Sequence, residues 1–139
     1  MTPEQVQVKL ALLASTLERL KRIPASDLDT FCADERNVDA ALRLLQVAIQ
    51  ILIDVGTHVV SRLGLGAPET SRDLLERLEG AGKLPAGSAA RFGGVFAFRN
   101  RIVRLYDRVD EAVVHDVVVK HTRDLEELAR LYIAALLLA

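Results

Sequence analysis

Residues 99 to 108 read Arg99-Asn100-Arg101-Ile102-Val103-Arg104-Leu105-Tyr106-Asp107-Arg108. Four arginines against one aspartate leave this segment at +3, inside a chain whose net charge is −1. Guanidinium groups match phosphate oxygens in planar, two-pronged contacts, and asparagine and tyrosine add neutral hydrogen bonds. Arg99, Arg101, Arg104 and Arg108 are therefore candidate phosphate ligands. On a helix Arg99 and Tyr106, seven apart, share one face, while Asn100 and Arg104, four apart, share another. Composition alone leans to the plainer alternative, a solvated face paired with Asp107 and Asp110.

Other residues of chemical interest are sparse. Asp54 and His58 lie four apart on one helix face, a spacing that can hold a metal. Without cysteine partners or a third clear ligand they make a poor zinc site, and no metal is expected. They read better as a surface hydrogen bond, or as outer support for the arginine segment if their helix packs beside it. His121 falls on an apolar stripe and reads as a hydrogen-bonded core or interface histidine; His115 falls off it and reads as solvated. Cys32, after Phe31 in a short connection, reads as a small buried thiol. Gly64-x-Gly66 and Gly93-Gly94 lack the strand, spacing and lysine of a phosphate-binding loop.

The elements that must position these residues are helical. Val6, Leu10, Leu13, Leu17 and Leu20 recur at spacings of 4, 3, 4 and 3, a single helical stripe. Pro3 suits its first turn, and Pro24 ends it by disfavouring helical backbone at Ile23. A second stripe, Val38, Leu42, Leu45, Ile49, Leu52 and Val59, is interrupted by Gly56 and stops at Gly64, Gly66 and Pro68. A third runs through Val114, Val118, His121, Leu125, Leu128, Tyr132 and Ala135. Between them, Thr70-Ser71 caps a short helix through Gly80, and Ser88 caps a helix carrying Phe92, Val95, Phe96, Ile102 and Val103 toward Tyr106. No strand-like alternation of useful length, hairpin turn or internal repeat occurs. The expected fold is all-α, an antiparallel four- to five-helix bundle spanning residues 1–139 as one domain.

Size and composition agree with that reading. With 139 residues, 50% apolar and 27% charged, the chain is too apolar for disorder and long enough for its own core. Eighteen basic against nineteen acidic residues exclude a generally basic nucleic-acid coat, so any phosphate-binding surface is local. One cysteine fits a reducing compartment. Residues 1–5 lack signal-peptide character, and the longest apolar run, Leu131–Ala139, falls far short of the roughly 20 residues needed to span a bilayer. A cytoplasmic protein without a membrane partner is expected. The apolar surplus on long helices suits a homodimer.

The segment Phe98-Arg99-Asn100-Arg101-Ile102-Val103-Arg104-Leu105-Tyr106 resembles the hallmark of the HEPN superfamily, in its HepT-like branch. That hallmark is Arg, a polar residue, three residues, His, one residue, and often Tyr. The likeness extends over almost the whole chain, including the long first helix, Ile53-Asp54-Val55-Gly56-Thr57-His58-Val59-Val60 in the second, and Leu84-Pro85 ahead of the motif helix. The resemblance implies an all-α homodimeric toxin that cleaves RNA without a metal, at a composite site on the two-fold axis. It implies an MNT-type nucleotidyltransferase antitoxin as partner, which silences the toxin by transferring AMP from ATP to the motif tyrosine, here Tyr106. The chain itself would need no cofactor. Arg99 would clamp the phosphate, Asn100 would orient groups, and Tyr106 would position substrate or receive AMP.

One position departs from the pattern. Arg104 stands where the family has histidine. Histidine titrates near neutrality, whereas arginine stays protonated and cannot accept a proton at pH 7. The chain is expected to keep a phosphate-binding surface and to lose most acid–base catalysis. Arg104 is either the mark of a degenerate member or a change introduced or selected against toxicity; the otherwise intact motif favours the latter. Two alternatives stand beside the toxin reading: a non-catalytic helical partner of a nucleotidyltransferase that binds nucleotide or phosphate, and a plain structural bundle.

Overall fold

The computed structural model describes residues 1–104 and 110–138, without the side chains of residues 102–104. Six helices are described: α1 (Pro3–Lys21), α2 (Leu28–Cys32), α3 (Glu35–Arg62), α4 (Ser71–Gly80), α5 (Ser88–Arg104) and α6 (Glu111–Leu137). No strand occurs among the described residues.

Local chemistry explains most of the boundaries. Thr2 and Gln5 form a reciprocal cap on α1: Gln5 N donates to Thr2 Oγ1 (3.2 Å) and Thr2 N to Gln5 Oε1 (2.8 Å). Asp34 accepts from Arg36 N to start α3, and Asp110 accepts from Ala112 N and Val113 N to start α6. Thr70 caps α4 by accepting from Asp73 N, as its sequence position suggests. After α3 the chain turns through Gly64 at φ +67°, backbone open to glycine and costly for other residues.

Two expectations need correction. Among the described residues the helix count is six rather than four or five, because α2 is a helix of five residues, too short to leave a periodic signal. Ser88 is the first residue of α5 rather than an accepting cap. Its hydroxyl donates to Pro85 O (2.6 Å), and the Glu79 carboxylate of α4 instead accepts from Ala89 N (2.8 Å).

The four long helices run up and down. Gly56 of α3 lies against Tyr132 of α6, and Phe31, just before α3, against His115, so α3 and α6 are parallel. Lys9 reaches Asp54 while Lys21 reaches Glu126, which sets α1 antiparallel to both. Arg91 meets Asp124 and Glu127, and Arg101 lines a cleft with Val113 and Val117, so α5 also opposes α6. The central contact is α3 on α6; α1 and α5 flank that pair without touching each other, and α4 packs on α3 and α5. The core holds Leu13, Leu20, Leu45, Ile49, Leu52, Phe92, Phe96, Leu128 and Tyr132, drawn mainly from the stripes described above. Among the described residues no helix is long and apolar enough to cross a membrane.

Candidate functional site

Arg99 sits seven, four and three residues after Phe92, Val95 and Phe96, all buried, so it continues the core-facing stripe of α5 at its C-terminal end. A guanidinium there lies half-buried instead of reaching freely into solvent. Its Nε is buried and has no hydrogen-bond partner among the described residues. Its Nη1 donates to Asn100 Oδ1 at 3.5 Å, the outer limit of a hydrogen bond. Asn100 and Arg101 are exposed. A half-buried cation with donors unpaired among the described residues, beside a neutral amide, is equipped to receive phosphate oxygens.

Arg101 points away from Arg99. It lines a cleft of about 300 Å³ between α5 and α6 together with Arg91, Asp116 and His121. Arg104 is the last described residue of α5. The Arg104 side chain, Tyr106 and Arg108 lie outside the described residues.

The structure does not bring Asp54 and His58 to this end of the molecule. Asp54 accepts from Gln50 Nε2 (2.8 Å) and from Lys9 Nζ (3.3 Å), which ties α3 to α1. Gly56, between the two residues in sequence, packs at the level of Tyr132, whereas Arg101 lies beside Asp116. From Asp116 to Tyr132 helix α6 rises about 24 Å. Burial lowers the pKa of His58, with the N-terminal ammonium and Arg62 acting in the same direction.

The other candidates are placed as follows. His115 is not solvated: half-buried, its Nε2 lies 3.0 Å from Ala25 O, and its ring packs 5.3 Å from that of Phe31. His121 is hydrogen-bonded as expected, Nδ1 to Asp124 Oδ2 at 3.0 Å, but on the half-exposed rim of the α5–α6 cleft. Cys32 is half-buried at the end of α2, and a hydrogen bond to the Glu111 carboxylate raises its pKa, which keeps it a thiol. Among the described residues no group of three or more His, Cys, Asp or Glu is arranged to hold a metal.

Sequence reasoning missed the tie between α5 and α6. Arg91 Nη2 donates to Asp124 Oδ1 (2.7 Å) and to Glu127 Oε2 (2.6 Å). Burial alone would raise the pKa of Asp124, but hydrogen bonds from His121 and Arg91 outweigh it and hold the carboxyl below its usual value. Only Asp124 and Glu127, one turn apart, leave a trace in the sequence; their partner lies 33 to 36 residues earlier.

Comparison with known proteins bears on the fold and the family. The fold is that of a tri-AMPylated HEPN toxin from Shewanella oneidensis solved in complex with an MNT antitoxin, at a TM-score of 0.83 and 23% identity, covering 96% of this chain and 99% of that one. A toxin–antitoxin complex solved with AMP-PNP matches at a TM-score of 0.81 and 22% identity, over 95% of this chain and 99% of that one. A tRNA nuclease HepT from Aphanizomenon flos-aquae (strain 2012/KM1/D3) is 28% identical over 108 residues, 78% of this chain and 74% of the relative. The family model described as Ribonuclease HepT-like matches residues 13–131, from the first helix through the arginine segment and into the last. On that match, the chain belongs to the Ribonuclease HepT-like family.

Proposed function

We propose that this chain is the toxin of a two-component toxin–antitoxin system, a metal-independent endoribonuclease acting on RNA, with tRNA as the favoured substrate class. The family match carries the reading, because it spans the entire arginine segment. The half-buried Arg99, with Asn100 beside it, supports it. The names of the similar proteins supply tRNA as a substrate and an MNT antitoxin as a partner.

Two copies of the chain pair so that their arginine segments form one composite site. Attack by a ribose 2′-oxygen on the adjacent phosphorus breaks the bond to the 5′-oxygen. A base must remove the 2′-proton, an acid must protonate the departing oxygen, and cations must hold the charge that builds on the phosphorane. Arg99 supplies the cation at the reacting phosphate, Arg101 and Arg108 bind other phosphates of the substrate, Asn100 orients the phosphate, and Tyr106 contacts substrate. Arg104 adds a further cation but cannot cycle a proton, so this chain is catalytically impaired. In the nucleotidyltransferase partner the Tyr106 oxygen bonds to the α-phosphorus of ATP and the α–β anhydride bond breaks. Pyrophosphate and the phenolic proton leave, and the AMP adds negative charge where phosphate must bind. Pairing and cleavage take place in the cytoplasm.

A specific observation favours a second reading. Because Arg104 replaces the proton-transfer group, the chain as it stands fits a non-catalytic partner of a nucleotidyltransferase that binds nucleotide or phosphate. Expression of the Arg104→His variant in cells separates the two. Growth arrest relieved by a co-expressed nucleotidyltransferase antitoxin is expected, with AMP found on Tyr106 by mass spectrometry of the silenced protein. A harmless Arg104→His variant that still binds the nucleotidyltransferase would replace the toxin reading with the binding one.

A further inference from the structure

A second basic cleft lies on α1 and α3. It measures about 340 Å³ and is lined by Arg19, Arg22, Ile23, Pro24, Asn37, Ala40 and Leu44. No carboxylate lines it, in contrast to the α5–α6 cleft with Asp116 and the α1–α6 grooves with Glu126. Neither Arg19 nor Arg22 joins an ion pair among the described residues. Arg22 uses only Nε, donating to Glu18 O at 3.4 Å. Arg43, three residues after Ala40 on α3, is exposed. Cations at the end of α1 favour the helix dipole, but among the described residues that role leaves their guanidinium forks unoccupied.

Position links this cleft to the arginine segment. Asn37, Ala40 and Leu44 lie in the N-terminal half of α3, which runs parallel to α6 from the level of His115. Arg101 lies at that same level, beside Val113 and Val117. Both clusters therefore occupy the end of the bundle where α1 and α5 finish and α3 and α6 begin. Because α1 and α5 flank the α3–α6 pair, the clusters stand about two helix spacings apart, roughly 16–20 Å. A mononucleotide does not cover that span, whereas a folded RNA does.

From this the geometry points to a second phosphate subsite: Arg19 and Arg22 bind backbone phosphates of the RNA whose scissile phosphate lies at Arg99, extending the footprint across α3. The inference deepens the ribonuclease reading and rests on it. It distinguishes an extended substrate, which reaches both clusters, from a dinucleotide, which reaches one.

Binding of labelled tRNA to the full chain tests it, with the Arg19→Glu/Arg22→Glu double variant set against a charge-matched control, Arg62→Glu/Arg130→Glu, on exposed positions outside the cleft. The double variant is expected to lose at least about tenfold in affinity, and the slope of log affinity against log salt to fall by about two, while the control changes far less. In the Arg104→His background, cleavage of a dinucleotide should be unaffected by the double variant. Equal losses in both pairs, or unchanged tRNA affinity in the double variant, overturn the subsite and leave the ribonuclease reading intact. Lost affinity for a nucleotidyltransferase with unchanged affinity for tRNA also overturns it. If Arg104→His cuts no RNA and the chain binds none, both readings fall together.

Discussion

The Tyr132 phenol is fully buried, its hydroxyl has no hydrogen-bond partner among the described residues, and burial pushes its pKa well up. Desolvating such a group without a partner costs on the order of 1–3 kcal/mol. Tyr132→Phe is therefore expected to raise unfolding stability by about 1 kcal/mol in chemical denaturation, an outcome opposite to most core substitutions. Gly56 explains how the ring fits. A Cβ at that position would stand 2.8 Å from Tyr132 Cζ and 2.9 Å from Leu74 Cδ2, closer than side chains tolerate. Gly56→Ala should cost about 1–3 kcal/mol in the same experiment. The sequence displays Gly56 as a break in an apolar stripe, but its reason is a side chain 76 residues later and is visible only in three dimensions. Arg99 shows a related case: the sequence singles it out as a phosphate ligand, while its place on the core-facing stripe after Phe92, Val95 and Phe96 emerges with the burial of those residues.

Helix positions were largely legible because periodicity and capping are local. Pro3 and Thr70 mark real helix starts, and the three long stripes correspond to α1, α3 and α6. Ser88 misled because a hydroxyl beside a helix start can donate as readily as accept, and the true acceptor, Glu79, belongs to another element. Contacts between elements were not legible at all, and the Arg91 tie of α5 to α6 is the main example. It has a pH signature. Asp124 has a lowered pKa in the folded state, so its contribution is present above the unfolded carboxylate value near 3.9 and is lost as pH falls through the folded value. Arg91 is 45% exposed, so solvent screens the pair and the effect is modest. Denaturation midpoints measured from pH 6 down to pH 2 should decline below about pH 4, and Asp124→Asn should flatten part of that decline. An Asp124→Asn profile parallel to the parent's would show that the tie contributes nothing.

At the scale of the whole molecule, the up-and-down order places the C-terminal ends of α1 and α5 beside the N-terminal ends of α3 and α6. Arg19, Arg22, Arg99 and Arg101 gather there, although the chain carries a net charge of −1. The Lys9–Asp54 tie and His58 sit toward the opposite end, about 24 Å along α6. His115 is held by Ala25 and Phe31, which leaves His121, held by Asp124, as the histidine on the rim of the α5–α6 cleft among the described residues. That arrangement sharpens the importance of Arg104. The most direct measurement of the central claim is the rate of RNA cleavage in EDTA by this chain and by its Arg104→His variant, purified side by side. Restoring a group that titrates near neutrality should raise the rate by roughly 10²–10⁴-fold, with no metal required. Equal rates for the two proteins, or cleavage that appears only when a divalent metal is added, would contradict the account.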